Sequence, residues 1–221
     1  MEQETQQEPG VLGRVLMVVS RVAGSCGGGC NGCAAAIAGS ADTYQSSANA
    51  AARLAHNTFK DIGYLSSYYS APSRLSAAWI LLRSPEIFAF IGHGNVYGIM
   101  LSEGAFLVTR QIGGTMPEDI YIEDYNLSKA KLHVYITCYA ASGSSNLCLS
   151  ARNSGVKCVI GWNSLLDIQD SFLWNQQFMS RLGQGDTITQ ARSFANKYKS
   201  YAYPDRTVDN KIYGDGSQIL K

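Results

Sequence analysis

The sequence predicts an α/β fold, a predominantly parallel sheet with helices on both faces, and three observations predict it. Short apolar runs rich in β-branched and aromatic residues recur along the chain, as in Glu86-Ile-Phe-Ala-Phe-Ile91 and Lys131-Leu-His-Val-Tyr-Ile136. Bounded by turn signals, such runs read as strands buried on both faces. Between them lie segments whose apolar residues fall three and four apart, the period of an amphipathic helix. Strands alternating with helices in this way imply a parallel sheet covered on each side.

The elements follow in order. Residues 1–13 begin acidic and polar and read as a flexible tail, with one domain over 14–221. Arg14 to Val22 predicts a first strand, and Ala23 to Cys33, with its Gly-Gly-Gly run, is too glycine-rich for anything but a loop. A helix is expected over Asp42 to Lys60, from Ala48, Ala52, Ala55, Phe59 and Ile62. Tyr64 to Tyr69 is a second strand. Ser73 then caps a second helix carrying Leu75, Ala78, Trp79 and Leu82 on one face. Tyr97–Leu101 and Phe106–Arg110 make a hairpin, and Glu118 to Lys129 holds a short helix or turn. Asn146 to Asn153 reads as a helix closed by Gly155, and Lys157 to Trp162 as another buried strand. Helices are expected over Gln169–Leu182 and from Thr187 to about Tyr198, the second capped by Asp186.

Composition narrows the function. Net charge is +1 and charged residues are 16% of the 221, so no basic face advertises nucleic acid. No apolar run approaches the ~20 residues of a membrane span. The acidic start is unlike a secretory leader, so a cytoplasmic protein with its six cysteines as thiols is expected, an extracellular chain that has lost its leader being the other reading.

Two of the strands stop at residues able to do chemistry, His93 and, 45 positions later, Cys138. Neighbouring strands lie about 4.8 Å apart. Adjacent parallel strands ending at one edge would therefore bring imidazole and thiol together, at the edge where open α/β sheets build their sites. A thiolate is the nucleophile and an imidazole can take its proton. The N–H groups of Gly94 and Cys138 would face a developing oxyanion. A strand-terminal cysteine is more often packing than catalyst, however. Cys148 on a helix and Cys158 within a strand read as core. His56 sits on the first helix and His133 on the opposite face of the Cys138 strand, so only His93 is placed to assist.

The order of apolar strand, His-Gly, hairpin and apolar strand ending in Cys resembles the caspase-like (clan CD) cysteine peptidases. The resemblance is nearest to their bacterial CHAT and gingipain-like branches. Phe88-Ala-Phe-Ile-Gly-His-Gly94 stands where these carry His-Gly, and Tyr121 to Cys138 where a short helix feeds the nucleophile strand. Gly155 to Trp162 resembles their next strand, and Ile212-Tyr-Gly-Asp-Gly resembles the Gly-Asp-Pro close of gingipain-like domains. The resemblance implies a caspase-like three-layer sandwich and hydrolysis of peptide bonds in a peptide or protein substrate, with no cofactor. It implies Cys138 as nucleophile, His93 as general base and acid, and Gly94 and Cys138 N–H as oxyanion hole. Relatives that cleave after Arg or Lys often carry an acid two residues before the nucleophile, where this chain has Ile136. A substrate-binding carboxylate would then come from Asp167 or Asp170; helix capping is the other reading of both. A catalytically silent relative that binds peptides in the same cleft is the rival reading.

Cys26-Gly-Gly-Gly-Cys30-Asn-Gly-Cys33 has the C-x3-C-x2-C spacing that also ligates iron–sulfur clusters. A zinc site lacking one ligand is another reading. A mobile loop beside the active site, sensitive to metal or redox state, is preferred to a cluster.

Overall fold

The computed structural model describes residues 32–40, 44–111, 119–198 and 208–220. The expected tail, the Arg14–Val22 strand, and Cys26 and Cys30 lie outside the described residues. Among those described, six strands form one sheet in the order β2-β1-β3-β7-β8-β9. They are Cys33–Ala38 (β1), Leu65–Ser70 (β2), Ile87–Ile91 (β3), Leu132–Ile136 (β7), Cys158–Trp162 (β8) and Asn210–Gly214 (β9). All neighbours run parallel except β9, which returns antiparallel along β8. A second, three-stranded sheet holds Gly98–Met100 (β4), Phe106–Val108 (β5) and Ile120–Tyr121 (β6). Its first two strands are the expected hairpin. The helices are Gln45–Asp61 (α1), Arg74–Leu82 (α2), Leu147–Asn153 (α3), Ile168–Gly183 (α4) and Ile188–Ala195 (α5). None of the described helices is long and apolar enough to cross a membrane.

Side chains alternate across the strands and so sort into two cores. Ala34, Ala36, Ile87, Ala89, Val134, Ile136, Ile160 and Trp162 face α1, α4 and α5. Ala35, Ile37, Phe88, Phe90, Tyr135 and Val159 face α2, α3 and the small sheet. The fold class is therefore the expected one: sheet in the middle, helices on both faces.

Strand β1, the cap of α5 and the antiparallel return of β9 depart from the expectation. Cys33 begins β1 rather than ending a loop, because Cys-Ala-Ala-Ala-Ile-Ala lacks the β-branched signal yet forms a central strand. Ala34, Ala36 and Ala38 share a core with Ala48, Ala51, Ala52 and Ala55 of α1, and this small-on-small seam lets the helix lie close to the sheet. The cap of α5 is Thr187, not Asp186. The Thr187 hydroxyl accepts from the Gln190 N–H while the Gln190 side chain accepts from the Thr187 N–H, a complete capping box. Asp186 instead pairs with Arg181 at 2.6 Å. Ser73 caps α2 as expected, and Asn146, read in the sequence as the first helical residue, is the N-cap of α3.

Candidate active site

The register between β3 and β7 pairs Ile91 with Ile136, the last residues of each strand. His93 and Cys138 each lie two residues further on, so both leave the sheet at the same edge. Both line one cleft of about 340 Å³ with Tyr44, the ends of β3 and β7, and the turn entering α4. That volume lies within the usual range of ligand pockets.

The main chain fixes each group. The N–H of His93 donates to the Ser40 carbonyl at 3.1 Å, and its own carbonyl accepts from Met100 at 2.9 Å. A Cβ at Gly92 would stand 3.0 Å from the Gly39 Cα, so two backbones meet there with no room for a side chain. A Cβ at Gly94 would lie 2.3 Å from the Thr137 hydroxyl and 3.2 Å from the Cys138 carbonyl oxygen. Glycine at 94 is thus what allows the His-Gly turn to abut the cysteine turn. Beyond Ile136 the chain bends sharply, and Tyr139 takes φ 61. This left-handed conformation is disfavoured for a residue with a bulky side chain. It turns the chain away from the strand direction immediately after Cys138.

The sulfur of Cys138 is half-buried. It accepts from the Leu166 N–H at 3.3 Å and lies 3.7 Å from the Leu166 carbonyl oxygen. Among the described residues, the N–H groups of Gly94 and Cys138 donate to no protein acceptor. The other two free thiols are core residues. Burial pushes Cys158 up to about 12 and Cys148 further still. His133 is fully buried, its Nδ1 3.0 Å from the Tyr135 hydroxyl, and burial pushes it down to about 3. His56 Nδ1 meets the Ser66 hydroxyl on the α1–β2 side.

Of the two candidate carboxylates, Asp167 lines the cleft and is the N-cap of α4, accepting from the N–H groups of Gln169 and Asp170. Asp170 is buried in the first turn of α4 and is not part of the lining. Cys33 is disulfide-bonded, which corrects the all-thiol expectation and withdraws it as a thiolate ligand. No group of metal-ligating side chains occurs among the described residues. Sequence reasoning missed Leu166, Tyr44 and the strained Tyr139. The first and last act through the main chain, which leaves no mark in residue type. Tyr44 joins the cleft only through the fold.

No known family model and no curated protein matches the sequence. Solved structures do match in fold. The Arg-specific cysteine proteinase gingipain R aligns with TM-score 0.63 and 12% identity, over 86% of this chain and 47% of that one. A structure described as a protease aligns with TM-score 0.65 and 14% identity, over 94% and 52%. The complex of the pro- and mature domains of RgpB from Porphyromonas gingivalis gives 0.61 and 11%, over 86% and 48%. The chain thus spans about half the length of the structures it matches. At such identities the likeness is one of fold, and the fold is that of the caspase-like, gingipain-type cysteine proteinases.

Proposed function

We propose that this chain is a cysteine endopeptidase with Cys138 as nucleophile and His93 as general base and acid, in one domain over 14–221. The observation that carries the reading is the Ile91–Ile136 register, which delivers His93 and Cys138 to one sheet edge and into one cleft. His93 takes the Cys138 thiol proton, and the thiolate adds to a peptide carbonyl. The resulting oxyanion takes hydrogen bonds from the Gly94 and Cys138 N–H groups. His93 gives a proton to the departing amine, leaving a thioester. It then takes a proton from water, whose oxygen attacks that thioester and frees both acid and thiol. Among the described residues Cys138, Cys148 and Cys158 are free thiols, which supports the cytoplasm as its setting. The disulfide at Cys33 is the feature that an oxidising compartment would preserve.

The test is a mass-spectrometric search for new peptide termini after wild type and Cys138→Ala are each incubated, under reducing conditions, with denatured proteins. Termini made by wild type alone are expected. Equal patterns from both, in folded protein whose Cys138 still reacts with iodoacetamide, would replace the peptidase with a peptide-binding module.

A further inference from the structure

The lining of the cleft differs from what a charged side chain would need. Its floor is the register pair Ile91 and Ile136, the last residues of adjacent strands on the face that also carries α1 and α4. Its walls include Tyr44, Leu165, Leu166 and Ile168. Leu165 is 45% exposed, an aliphatic side chain left open beside the nucleophile. Each polar side chain that α4 brings to the lining makes a hydrogen bond within its own first turn, Asp167 through Oδ1 alone. The Ser171 hydroxyl donates to the Ile168 carbonyl at 2.7 Å. Asp167 accepts the Gln169 N–H at 2.8 Å and sits at the positive end of the α4 dipole. A buried charge needs a dedicated partner, whereas an apolar side chain gains from leaving water for such walls.

We propose that the cleft receives a large apolar side chain, aliphatic or aromatic, from the residue whose carbonyl Cys138 attacks. The substrate class is then a polypeptide cleaved after an apolar residue, in place of the basic preference that Asp167 or Asp170 would confer. The inference rests on the peptidase reading and specifies it.

The experiment labels the full chain with peptidyl acyloxymethyl ketones that differ only in the residue nearest the reactive ketone: Leu, Phe, Asp, Asn, Arg or Lys. Intact mass and peptide mapping follow modification at Cys138, with Cys138→Ala as the blank. The Leu and Phe reagents are expected to label roughly 10-fold faster or more than the charged and amide ones, the discrimination apolar pockets give. Leu165→Glu is expected to erase most of that margin. Fastest labelling by Arg or Lys, or equal rates across the panel, overturns the apolar pocket while leaving the Cys–His reading standing. No labelling of Cys138 by any reagent, in folded protein, overturns both.

Discussion

At the scale of single residues, chemistry at this site depends on main-chain geometry as much as on side-chain type. That His93 and Cys138 share one sheet edge was legible because a strand that stops at a functional group is visible in sequence. The left-handed Tyr139 and the Leu166 N–H were not, since neither conformation nor backbone contact is written in residue type. Replacing His93 by Ala should lower kcat by about 10²- to 10⁴-fold, the usual contribution of a positioned acid–base, with the melting temperature little changed. Tyr139→Gly should keep the fold and relieve strain, whereas Tyr139→Val should lower stability in chemical denaturation, because a β-branched residue tolerates the left-handed region least. His133 supplies a pH test. Its folded value of about 3 lies below the ordinary 6.5, so between these the unfolded chain binds the extra proton. Its contribution is therefore complete above pH 6.5 and is lost as pH falls, by up to about 1.4 kcal/mol per unit. His133→Phe should flatten that part of the slope, read from denaturation midpoints at pH 7.5 and pH 5.

Among the elements, capping decides how the α4 turn is read. Asp167 looked in sequence like a candidate substrate carboxylate or a cap, and in the structure it caps α4 while also lining the cleft. Asp167→Asn should be nearly neutral, because asparagine caps as well. Asp167→Ala should cost about 1 kcal/mol and loosen the Leu166 contact with the sulfur. A loss of turnover in Asn equal to that in Ala would restore a role for the charge. Helices with apolar periodicity were placed within a few residues of their observed ends. The alanine-rich β1 was missed because strand signals rest on branched and aromatic side chains, and β9 because its antiparallel return depends on a distant partner.

Across the whole molecule, the sheet order β2-β1-β3-β7-β8-β9 keeps the strands that lead to His93 and Cys138 adjacent at the centre. That adjacency was inferred from alternation of elements, and the parallel register turned it into a cleft. The solved neighbours agree at this scale, in the caspase-like fold, without singling out a CHAT branch. Iodoacetamide should modify Cys138 in the native protein, while Cys148 and Cys158 react only after unfolding, as peptide mapping with and without urea would read.

The alanine seam between β1 and α1 sets a dimension that reaches the cleft. Tyr44 precedes the first residue of α1 and forms part of the lining, and the Asn175 side chain of α4 donates to the Ala51 carbonyl of α1 at 3.0 Å. One added methylene at Ala36 or Ala52 would lift α1 from the sheet and carry the Tyr44 wall with it. Aperture is thereby a property of interior spacing. A lineage could widen or narrow its mouth through changes buried beneath a helix, with neither histidine nor cysteine disturbed.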